Sequence, residues 1–190
     1  MILLKFLNNI FTKICIPCEW INVLVIPIFK KSDRREPKNY RGISILNTCY
    51  KIYSKILNMK LQDFSVAFMK ESQNGFRKGR SCTDSTFCLK LLIEKRREFN
   101  LETHLLFIDY EKAFDNIQRQ ILFNILKSRR IPGTLLKTLV DIYTQNKISI
   151  KFNNKLSKLA DINKGVRQGC PLSPYLRTYL LHGAESFLRS

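Results

Sequence analysis

Residues 107–115 read FIDYEKAFD, which is the strongest local signal in the sequence because an acidic residue ends an apolar run. The run LLFIDY, residues 105–110, is short, which predicts a buried strand rather than a helix. Asp109 at its end needs a counter-ion, a metal or backbone N–H donors, because burying an unpaired carboxylate costs several kcal/mol. Asp109 is therefore either a structural residue at a strand-to-loop junction or a functional carboxylate. Glu111 would share a strand face with Asp109.

Asp115 gives a different prediction. It precedes a helical pattern over residues 116–128, and Gln118 follows three residues later, as in a capping box. This spacing favours a helix N-cap over a catalytic role. Phe114 taken alone predicts a core residue.

A second motif, GVRQGCPLSP, occupies residues 165–174. Its glycines allow a backbone to come close to a ligand. Ser173 and Pro174 open a helix, and a helix N-terminus after such a loop suits a base or a phosphate. Glycine-rich turns before capped helices are common, so an ordinary structural turn is the alternative to a ligand site.

The remaining pattern predicts an α+β fold with helices on one face of a sheet. VLVIPIF at 23–29 and RGISIL at 41–46 predict two strands of a hairpin, with Pro27 confining the first strand to a sheet edge. The loop between them, residues 30–40, carries basic side chains that could close over phosphates. The other predicted elements are helices over 49–64 with Thr48 as N-cap, 84–99 and 134–144, a hairpin turning at Asn153-Asn154, and a last helix from Ser173.

The charge points to a polyanionic partner. The chain has 33 Lys and Arg against 15 Asp and Glu, a net charge of +18 over 190 residues. Nucleic acid is the simplest partner and an anionic membrane a less common one. The surplus is 11 in residues 1–100 and 7 in residues 101–190, which favours a basic groove through the fold over a basic tail.

The cysteines and the hydropathy exclude other classes of protein. Cys15 and Cys18 have the spacing of half a zinc site, but no second close pair exists among the six cysteines, so reduced intracellular thiols are expected. Charges interrupt the apolar N-terminal run below the length of a membrane span, so no spanning segment is expected, and a membrane is not among the predicted partners.

Five blocks, in order, resemble the reverse transcriptase domain of non-LTR (LINE-type) retrotransposons. They are IPCEW at 16–20, IPIFKKSDRREPKNYRGISILNTCYKIYSKIL at 26–57, ESQNGFRKGRSCTDS at 71–85, FIDYEKAFDNI at 107–117 and GVRQGCPLSP at 165–174. The resemblance implies a right-hand polymerase fold without its thumb: a lead-in at 1–22, then fingers over about 23–104 and a partial palm over about 105–190. It implies RNA-directed DNA synthesis with two Mg²⁺ ions, and an RNA template, a DNA primer and dNTPs as partners.

The resemblance also assigns roles to single residues. Asp109 would be the catalytic metal ligand, with the Tyr110 carbonyl beside it. Phe114 would be a steric gate that excludes a ribose 2′-OH. The other implied contacts are to the incoming nucleotide, from Lys30, Lys31, Arg41 and Gln168, and to the template, from Arg77, Arg80 and Gly169.

Two departures limit the catalytic prediction. The family has a later aromatic-Ala-Asp-Asp block with the remaining metal carboxylates, and residues 175–190 do not match it. The family usually places Phe-Asn where this chain has Arg177-Thr178. The sequence therefore predicts a polymerase fragment that is inactive alone.

The alternative is a catalytically dead remnant that binds nucleic acid through its basic face. A generic RNA-binding domain is a third reading, against which the lack of aromatic-glycine RNA-binding signatures counts. The family works on genomic DNA, so the nucleus is the default location.

Overall fold

The structure is a computed structural model that describes residues 2–65 and 69–187, with side chains described up to residue 181. It is a mixed α and β protein, as predicted. The chain divides into two compact units. The large unit comprises residues 1–65 and 112–190, and the small unit comprises residues 66–111.

A mixed sheet organises the large unit. Its strands are β1 (Asn22–Phe29), β2 (Tyr40–Ile45), β3 (Lys147–Phe152), β4 (Lys155–Leu156) and β5 (Ala160–Asp161). The order is β2-β1-β3-β4, with β5 also on β3. The predicted hairpin is confirmed, because β1 and β2 pair antiparallel. The predicted turn at Asn153-Asn154 also forms, with positive φ at both residues.

Strand β1 lies inside the sheet, so its predicted edge position is wrong. It pairs with β2 on one side and in parallel with β3 on the other. The parallel pairing ends at Val25, two residues before Pro27. Proline is tolerated there because β3 needs no hydrogen bond at that level.

In the part of the chain that the structure describes, six α-helices pack in the large unit and one lies in the small unit. They are α1 (Ile2–Lys13), α2 (Cys18–Ile21), α3 (Thr48–Ser65), α4 (Cys82–Glu98, in the small unit), α5 (Arg119–Ser128), α6 (Gly133–Thr144) and α7 (Ser173–Phe187). Their contacts bury Leu57, Leu122, Leu139 and Leu176 completely. Burying each such side chain stabilises the fold by roughly 1.5–3 kcal/mol. Helix α3 is capped by Asn47, whose Oδ1 accepts from the Cys49 N–H at 2.8 Å, and not by Thr48 as predicted.

Asp115 is not a helix cap, which corrects the capping-box prediction. Helix α5 begins at Arg119, with Gln118 in the N-cap position, and residues 111–116 form turns. The reason is tertiary. The backbone over 114–117 bonds to residues 165 and 166 and is not free to start a helix.

The small unit contains α4 and a long irregular segment. Ser81 and Asp84 form a capping box at the start of α4. The strand predicted over 105–110 does not form: Leu106 is 85% exposed and Phe107 79%. No strand in the described part of the chain pairs with this segment. The segment therefore lacks the neighbour that a strand needs, since a lone strand satisfies neither edge. None of the helices over residues 2–65 and 69–187 combines the length and the hydropathy of a membrane span.

Candidate nucleotide and nucleic-acid site

Backbone hydrogen bonds in the large unit join the two motifs that the sequence singles out. The Val166 N–H donates to the Phe114 carbonyl at 2.9 Å, and the Gly165 N–H donates to the Ile117 carbonyl at 2.7 Å. Gly165 has φ +81°, and a Cβ there would lie 2.8 Å from the carbonyl oxygen of Asp115. Only glycine permits this approach.

The same loop continues along the edge strand of the sheet. The Ser44 N–H of β2 donates to the Gln168 carbonyl at 2.9 Å. Gly169 has φ +99°, and a Cβ there would lie 3.3 Å from the Ser44 carbonyl oxygen. The large unit thus brings Gln168 and Gly169 beside β2, and the same loop bonds to the Phe114 carbonyl through Val166.

Phe114 is half-buried, and a cation lies over its ring. The guanidinium carbon of Arg177 in α7 is 5.4 Å from the ring centroid. This is cation–π distance. Arg177 occupies one of the two positions at which the chain departs from the resembled family. The ring that was predicted as a sugar gate is therefore covered by a charge that the motifs did not suggest.

Two buried arginines hold the loop, and sequence reasoning missed both. Arg119 is 7% exposed. Its Nε donates to the Gly165 carbonyl at 2.8 Å and its Nη1 to the Tyr143 carbonyl at 2.6 Å. Further bonds reach the carbonyls of Ile162 and Lys164. Burial lowers the pKa of Arg119, and the charge of Arg167 lowers it further.

Arg167 is 4% exposed and joins the loop to two helices. Its Nη2 donates to Asn146 Oδ1 at 2.9 Å and to the Ile142 carbonyl at 3.3 Å. Its guanidinium carbon lies 4.7 Å from the ring centroid of Tyr50 in α3. Burial raises the pKa of Tyr50 well above its usual value. The phenol is therefore neutral and does not neutralise Arg167.

One of these arginines carried a signal in the sequence. Arg119 lies on the same helical stripe as three buried side chains, Leu122, Phe123 and Leu126. A charge in that register, at i relative to i+3, i+4 and i+7, indicates a buried cation with specific partners. Arg167 had no comparable periodic signal, since it lies in a loop.

A cavity of about 360 Å³ lies between the loop and one face of the sheet. Gly42 and Ser44 line it from β2, and Val23 and Val25 line it from β1. The loop side contributes Asp115, Arg119, Lys164, Arg167 and Gln168, among others. Of the residues predicted to bind nucleotide, Gln168 is therefore at this cavity. Arg41 is not among its lining residues, because strand alternation places Arg41 on the opposite face from Gly42.

The hairpin end of the same sheet face carries aromatic rings and arginines. Phe29 and Tyr40 pack with ring centroids 5.5 Å apart, and Tyr40 lies 6.0 Å from Phe152. The guanidinium carbon of Arg34 is 5.1 Å from the Phe29 ring centroid. Lys30 and Lys31 are exposed beside this cluster in the chain. Their role in nucleotide binding stays a prediction.

In the small unit, the predicted template-binding arginines are paired to an acid. Arg77 Nη2 donates to Glu71 Oε1 at 2.9 Å, and Arg80 pairs with the other oxygen of the same carboxylate. The Arg77 hydrogen bond lowers the pKa of Glu71 most, and the charges of both arginines add to it. A template phosphate would therefore compete with Glu71 for these side chains.

The residues predicted to bind Mg²⁺ are not gathered into a metal site in the described part of the chain. Asp109 and Tyr110 are exposed in the irregular segment of the small unit. Within residues 2–65 and 69–187, no group of three or more His, Cys, Asp or Glu side chains is placed to hold a metal. The prediction of a two-magnesium centre at Asp109 therefore stays a prediction.

The match to a known family covers most of the chain. Residues 28–190 match the family described as reverse transcriptase (RNA-dependent DNA polymerase), and the chain belongs to this family.

Its relatives are proteins of non-LTR retrotransposons, which confirms the resemblance. One is the transposon TX1 uncharacterized 149 kDa protein of Xenopus laevis, 30% identical over 97% of this chain. Others are a probable RNA-directed DNA polymerase from transposon BS of Drosophila melanogaster, 25% identical over 84% of the chain, and a Pol polyprotein from element R2 of Nasonia vitripennis, 21% identical over 84%. The chain spans only 14%, 18% and 15%, respectively, of these relatives.

Proposed function

We propose that this chain forms the fingers and partial palm of an RNA-directed DNA polymerase and binds the template and the incoming nucleotide. One observation carries the proposal. The large unit gathers β2, the Phe114-Asp115 turn and the Gly165–Gly169 loop around one cavity. In the resembled family these are the blocks that contact the nucleotide and the template.

The distribution of charge between the two units supports nucleic-acid binding by the large one. The large unit holds 25 Lys and Arg against 8 Asp and Glu, a surplus of 17, whereas the small unit holds 8 against 7. Comparing residues 1–100 with residues 101–190 does not show this difference in charge, because each half contains part of both units. A surplus of this size attracts a polyanion over several ångströms of solvent.

Removing the cations of the hairpin loop should weaken the salt dependence of binding. For an RNA–DNA hybrid, log K should fall with log salt by roughly 0.7–0.9 for each phosphate that the protein neutralises. The variant replaces four loop cations by Ala: Lys30, Lys31, Arg34 and Arg35. The slope of log K against log salt should be less steep in this variant. The difference should be roughly 0.7–0.9 for each phosphate that these four side chains bind in the unaltered protein. Fluorescence anisotropy at several salt concentrations measures it.

A second set of four substitutions controls for net charge. It replaces exposed lysines elsewhere by Ala: Lys55, Lys90, Lys95 and Lys127. Equal slopes for the two quadruple variants would contradict the assignment of the hairpin loop as a phosphate-binding segment. Affinity of the unaltered chain that does not change with salt would contradict the proposal of nucleic-acid binding.

Phe114 should set the choice of sugar in a version of the chain extended through an active palm. Its ring would exclude a 2′-OH, so Phe114→Val should raise ribonucleotide incorporation relative to deoxynucleotide by roughly tenfold or more. Competitive primer extension measures the ratio. Phe99→Val, which alters an exposed ring of the small unit, is the control. An unchanged ratio in an active Phe114→Val enzyme would show that the gate is elsewhere.

A second candidate function is nucleic-acid binding without catalysis. It is favoured by the exposed, irregular setting of Asp109 and by the lack of a carboxylate cluster among the described residues. Binding would then persist while primer extension fails, even with a complete palm.

A further inference from the structure

The hairpin end of the sheet holds another cavity, of about 390 Å³, which we call the hairpin cleft. The strands form its floor, and the loop between β1 and β2 forms one wall. Residues that line it include Pro27, Gly42, Ile150 and Phe152 on the strands and Arg34 and Arg35 on the loop. None of the residues 165–169 lines it, so the cleft is distinct from the cavity beside that loop.

The floor of the hairpin cleft is apolar and open. Pro27 of β1 lies opposite Gly42 of β2. Gly42 has no side chain and the proline ring is compact, which leaves room above the middle of the sheet. On β3, 48% of Phe152 and 42% of Ile150 are exposed. Such an uncovered apolar surface gains free energy when an apolar side chain of a partner packs on it.

Hydrogen bonds hold the loop wall in place. The Tyr40 hydroxyl donates to the Arg34 carbonyl at 2.9 Å. The Asn39 side-chain amide donates to the Asp33 carbonyl at 2.8 Å, and Asp33 Oδ1 accepts from the Arg35 N–H at 2.9 Å. A wall that is already ordered loses little conformational entropy when a partner binds.

The wall offers two positive charges that no acid of the loop neutralises. Arg34 and Arg35 are exposed, and neither guanidinium forms an ion pair within the described ranges 2–65 and 69–187. The Glu36 carboxylate pairs instead with Lys38 at 3.7 Å. Guanidinium groups bind carboxylates well, because two parallel N–H groups match the two oxygens. The wall therefore suits a carboxylate that adjoins an apolar group.

The packing of the rings favours a peptide over a nucleobase. Bases of single-stranded nucleic acid bind by stacking on open aromatic faces. Here Tyr40 packs edge to face with both Phe29 and Phe152. The Arg34 guanidinium carbon lies 5.1 Å from the Phe29 ring centroid and covers that ring. The rest of the floor is aliphatic side chains and proline, which give a phosphate backbone no contact.

We propose that the hairpin cleft binds an acidic, apolar peptide segment of a partner protein. An Asp or Glu side chain of that segment pairs with Arg34 and Arg35. A neighbouring Leu, Phe or Trp packs on Pro27, Ile150 and Phe152. A second copy of this chain is a less favourable occupant, because each copy carries a net charge of +18 and the copies repel. This protein-binding surface goes beyond the proposed function and does not depend on it.

A random peptide library displayed on phage and selected on the 190-residue chain tests the proposal. The enriched peptides should carry Asp or Glu close to Leu, Phe or Trp. Phe152→Asp should abolish their enrichment, because it places a negative charge on the floor. Leu156→Asp is the matched control, since it makes the same charge change at a 65% exposed residue on the opposite face of the β3–β4 hairpin. A selection without such peptides, or one that Phe152→Asp leaves unchanged, would overturn the proposal.

Fluorescence anisotropy of the most enriched peptide, synthesised with a label, measures the contribution of the arginines. Arg34→Gln combined with Arg35→Gln should raise the Kd roughly tenfold. These substitutions lie in the exposed loop, so they keep the test decisive if Phe152→Asp fails to fold. Lys55→Gln combined with Lys127→Gln removes the same charge elsewhere and should change the Kd by less than about twofold. Equal losses in the two double variants would contradict the cleft as the binding site.

An RNA–DNA hybrid distinguishes the two kinds of occupant. Phe152→Asp should lose the peptide but bind the hybrid as tightly as Leu156→Asp does. If Phe152→Asp alone weakens hybrid binding as much as peptide binding, the cleft takes nucleic acid and the proposal is wrong. Peptide binding by a chain that fails to bind the hybrid would instead contradict the proposed function and support the cleft.

Discussion

The 190-residue chain should give no primer extension on an RNA template, with Mg²⁺ or with Mn²⁺. A two-metal centre holds its ions about 3.5–4 Å apart, and several protein anions are needed to offset their repulsion. Asp109 provides one carboxylate, and no Asp-Asp pair occurs in the sequence. The expected signal is the background level of a reaction without protein. Primer extension with labelled primer and gel analysis measures it.

The informative comparison is a chimera in which the chain is followed by the palm hairpin of a relative. This chimera should extend the primer, and Asp109→Ala should abolish its activity. Asp161→Ala, which removes an exposed carboxylate at β5, should leave it unchanged. Extension by the 190-residue chain itself, lost on Asp109→Ala, would show that a second carboxylate comes from within these residues.

Asp115 is the carboxylate that such a result would implicate first. Its predicted role as a helix cap would have aimed it at backbone N–H groups. It instead lies in a turn, exposed, and lines the cavity beside Arg119 and Lys164. An inactive Asp115→Asn chimera with wild-type stability would place it in the reaction.

Gly165→Ala should destabilise the large unit by about 2–4 kcal/mol. A left-handed backbone costs a residue with a Cβ about 1–2 kcal/mol. The new Cβ would also lie 2.8 Å from the Asp115 carbonyl oxygen and 3.0 Å from the Asp115 Cα, which are backbone atoms that cannot rotate away. The expected fall in Tm is roughly 5–15 °C, measured by circular dichroism.

Two other glycines separate strain from collision. Gly79 has φ +74° but no atom within 4 Å of an added Cβ, so Gly79→Ala tests strain alone, in the small unit. Gly133 has neither the positive φ nor a close neighbour, and Gly133→Ala at the start of α6 should be nearly neutral. If Gly165→Ala is no more harmful than Gly79→Ala, the close packing of the 165–166 backbone on Asp115 is not essential.

The sequence predicted the elements whose signals are local. The β1–β2 hairpin, α6 and the Asn153-Asn154 turn follow from apolar alternation, helical spacing and residues that accept positive φ. The nucleotide contact that the resemblance implies for Gln168 stays a prediction, and the structure places this residue at the cavity.

The predictions that failed concern residues whose conformation is set by distant partners. Asp115 and Gln118 have the spacing of a cap, but hydrogen bonds to Gly165 and Val166 delay the helix until Arg119. The apolar run at 105–110 has the composition of a strand, yet a strand also needs a neighbour, which composition does not supply. The burial and the hydrogen bonds of Arg167 could not be predicted for the same reason, because its partners come from α3 and the end of α6.

The parallel pairing of β1 with β3 has a consequence for synthesis of the chain. It joins Asn22 to Lys147, 125 positions later, with the whole small unit encoded between them. At a translation rate of about 5–20 residues per second, the β1–β2 hairpin waits roughly 5–20 s for its third strand. During that time the free side of β1 exposes unpaired backbone and the apolar sequence VLVI to other nascent chains. Yield in a host cell is therefore expected to depend on how fast the ribosome moves as well as on the stability of the finished protein.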